Sequence, residues 1–153
     1  MMFDCHCYLT VWNRWRDVTD KHAGEKFFRF HIPVKCKYKT EIKRGTAGSA
    51  MGRSAVNAGT VIENFRLAFI PDNEWYVPPN EWVSMAEDGR RGFYTLRVAD
   101  IMAVGHSDVD ITGVAPFRES DVMGMLAPDI FMISAVSDNT KGMKGKHFKV
   151  AGV

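Results

Sequence analysis

The sequence predicts a mainly β fold: a small β-barrel or sandwich of about eight short strands, with one short helix and a long flexible hairpin loop. Three observations predict it. Apolar and polar residues alternate in 34–44 and largely in 60–70, with the period of two that a strand requires. The run 130–136 is continuously apolar, as in a central strand. Only 118–126 carries helix signals, with Ser120 and Asp121 near its start and Pro128 beyond its end.

Length and composition are those of one folded domain spanning residues 1–153. The chain has 153 residues, 46% hydrophobic and 25% charged, which is enough to bury a core without staples. No run approaches the roughly 18 apolar residues of a membrane helix, and the start MMFDCHCYLTVW lacks the layout of a signal peptide. We therefore expect the protein to work in the cytoplasm or in an assembly formed there, with no membrane partner.

The first half of the chain predicts strands at 8–13, 27–32 and 34–44, with a polar turn at 14–24. The clearest pattern is in 34–44, where one face is apolar and the other is a row of lysines. Such a row can contact phosphates without reading sequence, or it can be a solvated face or an edge protected against aggregation. The lysines that define this basic strand face are Lys35, Lys37 and Lys39.

The segment 45–59, GTAGSAMGRSAVNAG, holds four glycines and a single charge, Arg53. It lacks the GxxxxGK pattern of a phosphate-binding loop. We predict a flexible hairpin tip between strands 34–44 and 60–70 that orders on a partner. A plain flexible loop is the alternative.

The stretch after strand 60–70 predicts a rigid loop that packs over the core. Pro78 and Pro79 restrict the backbone, and Trp75, Tyr76 and Trp82 supply large apolar surface as packing anchors. A polyproline ligand or an aromatic binding platform is the alternative, although one Pro pair without a PxxP repeat is a weak signal.

The rest of the chain predicts a succession of short elements. We expect a helical turn within 79–87, a turn at 88–92, strands at 93–98 and 101–105, and a short polar strand at 108–112. The helix 118–126 and the strand 130–136 follow, and after a polar turn at 137–145 a strand at 147–150 closes the sheet.

The cysteines and histidines carry no recognisable catalytic or metal motif. Cys5, His6, Cys7 and Cys36 could form a zinc site, but a CxC on a strand points its two sulfurs to one face and the histidine to the other, so we favour unpaired thiols. Asp108 and Asp110 could bind a metal or be a solvated edge. HExxH, GxSxG and CxxC spacings are all missing from the sequence. We therefore expect no enzyme activity, no cofactor and no metal.

Charge is distributed unevenly along the chain. Residues 1–60 carry eleven Lys and Arg against five acids, residues 61–140 carry five against thirteen, and residues 141–153 carry four against none. This asymmetry indicates a nucleic-acid face or complementary surfaces that stack on other subunits, unless the three segments interleave and their fields cancel.

Several motifs, taken in order, resemble the small minor capsid proteins of tailed phages that infect Gram-positive bacteria. They are VWNRW at 11–15, a strand ending in Ile-Pro, then YVPPNEW, GFYTLRVADIMAVG and finally ISAVSDNTKGMKGKHFKVAGV. The chain departs from the family pattern in three places: Ala99 stands in place of Gly, Phe148 stands in place of Trp, and residues 108–126 have no counterpart. The matching residues are Tyr94, Thr95, Leu96, Asp100, Ile101 and Gly105 in the middle motif, and Val136, Ser137, Asp138, Asn139, His147, Lys149 and Val150 in the last.

The resemblance implies a structural virion protein of the phage neck, a stopper-like head completion protein assembled in the host cytoplasm. It implies a homo-oligomeric ring, hexamer or dodecamer, between the portal with its adaptor and the tail terminator or tail tube. Such a ring retains the packaged double-stranded DNA and docks the tail. With that role, Lys43, Arg44 and Arg53 around the flexible loop become candidate contacts to DNA or to a neighbouring subunit.

Two alternatives remain. The first is another position in the same neck, that of the adaptor or the tail terminator. The second, from a different class, is a β-barrel that binds single-stranded nucleic acid, with Phe27, Phe28 and Phe30 as a stacking platform beside the lysine row.

Overall fold

The computed structural model describes residues 5–17, 19–22, 24–46, 60–141 and 145–153, and for 41–46 and 60–64 it describes the backbone alone. This part of the chain forms seven strands and three short helices. The strands are β1 (Cys7–Trp15), β2 (Lys26–Arg29), β3 (Val34–Thr46), β4 (Thr60–Pro71), β5 (Ile101–Val104), β6 (Ile130–Asp138) and β7 (His147–Gly152), and the helices are α1 (Pro79–Val83), α2 (Glu87–Gly92) and α3 (Glu119–Leu126).

Six of the strands close into an antiparallel barrel in the order β1-β3-β4-β7-β6-β5, with β5 returning to β1. β2 is the additional strand. It shares one edge of β1 with β3, because β3 pairs with Cys7 to Leu9 and β2 pairs with Trp12 to Trp15. The prediction of a small mainly β fold is confirmed, and of the two architectures expected the structure is a barrel.

Alternation along the strands produces two apolar clusters, one inside the barrel and one outside it. In β1, Leu9 and Val11 belong to the inner cluster, whereas Trp12 belongs to the outer one. Helix α3 covers this outer cluster with Val122, which is fully buried. Because both faces of β5 are covered, its sequence IMAV is apolar throughout, as expected of a strand buried on both sides.

Most of the predicted elements are confirmed, with different ends. β1 runs two residues further than expected, because Arg14 and Trp15 pair with Phe27 and Lys26. β2 stops at Arg29, since a bend around 31–32 separates it from β3. Helix α3 begins just after Arg118, whose backbone N–H donates to Asp121 Oδ2 at 3.1 Å.

Three predicted elements are wrong. Residues 88–92 belong to α2 rather than to a turn; acids in its first turn and arginines in its last favour a helix. Residues 93–98 form no strand apart from the bridge between Tyr94 and Tyr76. Asn13 instead holds this segment, by hydrogen bonds to the backbone N–H and C=O of Thr95. Residues 108–112 are irregular, with their backbone fixed by the bond from Trp12 Nε1 to Val109 O at 2.9 Å.

Candidate functional site

A two-stranded arm leaves the barrel where β3 and β4 continue beyond their other neighbours. β7 pairs with β4 from Pro71 only as far as Arg66. Beyond that point the described residues 41–46 and 60–65 pair with each other alone, over six residue pairs ending at Thr46 and Thr60. At about 3.3 Å per residue this arm is roughly 20 Å long.

The arm carries two of the basic residues that the sequence analysis selected. Lys43 and Arg44 lie opposite Glu63 and Ile62 in its backbone register. Their side chains lie outside the described part of the chain, as does all of Arg53 and the loop 47–59. Gly45 and Thr46, which we expected in the loop, belong to β3.

The lysines of β3 lie on the outside of the barrel and are joined there by residues from two more strands. Lys35, Lys37 and Lys39 are exposed, while Val34 and Cys36 between them are buried, so the predicted alternation is confirmed there. Lys37 lies opposite Phe69 of β4, and Phe69 lies opposite Lys149 of β7. Directly paired residues share one side of a sheet. We call the set Lys35, Lys37, Lys39, Phe69 and Lys149 the lysine face.

Phe69 gives the lysine face an aromatic centre. Its ring is partly exposed, and Lys39 Nζ lies 5.8 Å from the ring centroid, which is within cation–π distance. The sequence alone did not place Phe69 or Lys149 beside the lysine row, because they lie far from β3 in the chain. A prediction that β3 and β7, from the two basic segments, both pair with β4 would have placed these residues beside the lysines.

The barrel fold brings parts of the two basic segments together on one wall, where β3 and β7 flank β4. Elsewhere the basic and acidic segments meet, since Arg14 pairs with Glu119 and Arg29 with Asp110. Exposed acids of the middle segment lie on α1 and α2: Glu81, Glu87 and Asp88.

The three aromatic residues predicted as packing anchors all contact the core. Trp82 is fully buried and donates from Nε1 to Phe93 O at 3.2 Å. Tyr76 packs on Phe148, and their ring centroids are 4.1 Å apart. Trp75 is partly buried against the inner cluster. These contacts place the stretch after β4 against the barrel as a packed segment.

A buried polar cluster joins β1 to the segment before β5. Asn13 is 1% exposed, and its amide donates to Thr95 O at 2.7 Å and to Asp100 Oδ2 at 2.8 Å. Asp100 also accepts from the backbone N–H of Arg14 at 2.9 Å and lies 3.6 Å from Arg97 Nε. Burial raises the pKa of the Asp100 carboxyl. Because these hydrogen bonds satisfy the buried amide of Asn13 and the buried carboxyl of Asp100, we assign the cluster a structural role.

The phenylalanines considered for base stacking are unsuited to that role. Phe28 and Phe30 are each only 2% exposed, so they belong to the interior. Phe27 is partly buried under the guanidinium of Arg14, 4.7 Å from the ring centroid. A stacking platform needs rings open to solvent, so this part of the alternative is wrong for Phe28 and Phe30.

The two aspartates considered for metal binding are separated by their partners. Asp108 is bonded to His106 Nε2 at 2.9 Å, and Asp110 accepts from Arg29 Nε at 2.9 Å. Among the described residues no three His, Cys, Asp or Glu side chains are grouped so as to hold a metal ion. Within those same residues, no helix has the length and apolar character to cross a membrane.

A mainly apolar cleft of about 400 Å³ opens beside the start of β1. All three cysteines lie in the described part of the chain, and none is in a disulfide. Cys5 lines the cleft, whereas Cys36 is buried and Cys7 is partly buried. The cleft is further lined by Tyr8, Ile32, Pro33, Val34, Lys35, Pro71, Asn73 and Trp75.

Comparison with known proteins gives one result. No curated protein and no solved structure matches the chain. One family, described as a family of unknown function, DUF6751, matches residues 7–153. That range includes every strand of the barrel, the arm and the lysine face, and the chain accordingly belongs to the DUF6751 family.

Proposed function

We propose that this protein is a structural component of the neck of a tailed phage, acting by assembly rather than by catalysis. In this role it forms a ring between the portal with its adaptor and the tail, completes the head, retains the packaged DNA and docks the tail. The resemblance of its motifs to minor capsid proteins of phages of Gram-positive bacteria supports the proposal. The structural observation that carries it is the arm.

The arm is an element that a partner would complete. A two-stranded ribbon is at best marginally stable alone in water, and within the described residues both outer edges of 41–46 and 60–65 lack a neighbouring strand. Edges of this kind add strands from another chain. In a ring the arm of each subunit would lie on the next subunit or line the central channel.

The charge distribution fits the same role. The lysine face is one basic wall of the barrel, and exposed acids such as Glu81 and Glu87 lie around α1 and α2. Two unlike surfaces on one subunit favour head-to-tail contacts, which close into rings, and unlike faces also favour stacking of one ring on another. The lysine face would meet either DNA phosphates or an acidic neighbour.

The direct test is the composition of purified virions. We expect mass spectrometry of gradient-purified particles to detect the protein in a few to a dozen copies per virion, in keeping with a ring. Electron microscopy of the particles should then place it between portal and tail. Absence of the protein from tailed, infectious particles would overturn the proposal.

A shortened-arm variant tests the step from structure to assembly. Ile42 and Asn64 lie opposite each other, so replacing 43–63 by an Asn-Gly turn retains the barrel pairing and removes most of the arm. We expect a folded monomer that fails to enter heads carrying the portal and adaptor, judged by native mass measurement of the mixture. Normal incorporation of this variant would show that the arm is dispensable. The same measurement with portal alone, with adaptor and with tail tubes distinguishes stopper, adaptor and terminator positions.

The lysine face favours a second candidate, a barrel that binds single-stranded nucleic acid. A basic surface with a partly exposed aromatic ring at its centre is the arrangement that such proteins use. Titration of a fluorescent oligonucleotide at several salt concentrations separates the two candidates. Micromolar or tighter binding by the isolated monomer favours the second, whereas a neck subunit should bind weakly outside its ring.

A further inference from the structure

Cys7 and Cys36 face each other across two antiparallel strands. They are direct partners in the register of β1 and β3. Directly opposed residues in such a pair have Cα atoms about 4.5 or 5.5 Å apart, depending on the hydrogen-bonding position. Both separations fall within the range of about 4.4–6.8 Å that a disulfide spans.

The two side chains also point to the same side of the sheet, because directly paired residues share one side. Cys36 is fully buried in the inner cluster, and Cys7 packs against that cluster. A bond between the two sulfur atoms therefore requires no change in strand register.

We propose that Cys7 and Cys36 are a reversible dithiol–disulfide site, oxidised by exchange with a low-molecular-weight or protein disulfide. The Cys7 thiolate attacks one sulfur of the oxidant, forming a mixed disulfide and releasing one thiolate. The Cys36 sulfur, giving up its proton, then attacks the Cys7 sulfur and expels the second half of the oxidant as a thiol. Two protein thiols lose two protons and two electrons, and the oxidant is reduced to two thiols.

The order of the two attacks follows from exposure. Burial raises the pKa of the Cys36 thiol, which disfavours its thiolate and makes Cys36 the second group to attack rather than the first. Cys7 is partly exposed, so it is the group that an oxidant can reach.

The position of the site gives the disulfide a consequence. β1 and β3 are joined by only three residue pairs, of which Cys7 with Cys36 is the last. Beyond Cys36, β3 continues toward the arm with β4. A bond here would fasten the short β1–β3 seam and fix the base from which the arm extends. The proposal of a Cys7–Cys36 disulfide depends on neither the neck assignment nor nucleic-acid binding.

The test uses the full chain, first reduced and then incubated with oxidised glutathione. We expect the wild type to lose the mass of two hydrogens, with peptide mapping that joins Cys7 to Cys36, at a rate that rises with pH as thiolate forms. The oxidised protein should melt about 10 °C higher than the reduced protein. Addition of a reducing agent should reverse both changes.

Two variants control the experiment. Cys5→Ser should still form the bond, because Cys5 is not part of the pair, whereas Cys7→Ser should keep its fold by circular dichroism and form none. A wild type that stays fully reduced in oxidised glutathione would overturn the proposal. A disulfide that maps to Cys5, or a melting temperature that falls on oxidation, would overturn it as well.

Discussion

Asn13 of β1 and Asp100, just before β5, are joined by a side-chain hydrogen bond of 2.8 Å in the interior, where each is 1% exposed. The same carboxylate accepts from the backbone of Arg14. Replacement of Asp100 by Asn turns part of this acceptor into a donor that faces other donors. We expect Asp100→Asn to cost about 2–4 kcal/mol in the free energy of unfolding, measured with urea.

The pH dependence of that cost follows from the direction of the pKa shift. Burial raises the pKa of Asp100 in the folded state, so the folded protein binds a proton at this carboxyl more tightly than the unfolded chain does. The resulting contribution to the free energy of unfolding is complete below the unfolded pKa of about 3.9 and is lost as pH rises through the folded pKa. The difference between wild type and Asp100→Asn should therefore be larger near pH 4 than near pH 7. Asp129→Asn, at an exposed position, is the control and should show little change in either condition.

Ala99 is the only non-glycine residue with a positive φ in the described part of the chain, at 77°. This left-handed conformation costs an L-residue about 1–2 kcal/mol and costs glycine almost nothing. We expect Ala99→Gly to raise the free energy of unfolding by about 1 kcal/mol.

Ala127 offers a matched control for that substitution. It is exposed and has a φ of −59°, so glycine there gains no relief of strain. Ala127→Gly should lower stability by about 0.5–1 kcal/mol through the entropy of the unfolded chain. Equal effects of the two substitutions would contradict the assignment of strain to Ala99.

Gly152 of β7 sits where no side chain fits. A Cβ atom at this position would overlap the Phe131 ring and lie 2.7 Å from the backbone oxygen of Met132. Because that backbone belongs to β6, it cannot move aside without breaking the barrel. We expect Gly152→Ala to cost about 2–3 kcal/mol, measured by thermal and urea unfolding.

Gly124 gives the opposite expectation for the same change. It lies in helix α3 with no atom within 4 Å of a Cβ position. Gly124→Ala should therefore stabilise the protein by about 0.5–1 kcal/mol through helix propensity. A loss of stability in both variants would mean that crowding is not what distinguishes Gly152.

If the protein binds DNA, we expect the lysine face to contact only the phosphates and not the bases. Each phosphate contact removed lowers the slope of log affinity against log salt by about 0.9 for duplex DNA. We expect Lys37→Gln with Lys149→Gln to reduce the slope by about 2, measured on the ring proposed above with a DNA fragment of any sequence. Lys26→Gln, exposed on β2, is the matched control, and an equal effect there would argue against a specific face.

Much of the fold followed from local patterns. The alternation of 34–39 predicted which side of β3 is buried, and the capping residues of 118–126 predicted α3. The segment 93–98 was mistaken for a strand because three consecutive buried residues look the same in sequence whether a strand or an irregular chain buries them. What holds that segment is Asn13, which bonds to both the N–H and the C=O of Thr95. A side chain from so distant a position cannot be inferred from local periodicity.

The candidate site was predictable in part for the same reason. The lysine row is a pattern within one strand, so Lys35, Lys37 and Lys39 could be selected from the sequence. Phe69 and Lys149 join them only through pairing of β4 with its two neighbours. The arm was hidden too, because its existence depends on where β7 stops pairing with β4, which no local sequence signal specifies.

The place of β7 between β4 and β6 sets the order in which the molecule can be completed during synthesis. β3 and β4 are made early and can pair at once, whereas the barrel stays open along β4 and β6 until His147–Gly152 leaves the ribosome. During that interval two strand edges with apolar inner faces are exposed to other nascent chains. Chains that stop before His147 should therefore aggregate. Pairing of β7 with β4 and β6 is the event that covers both edges and prevents this aggregation.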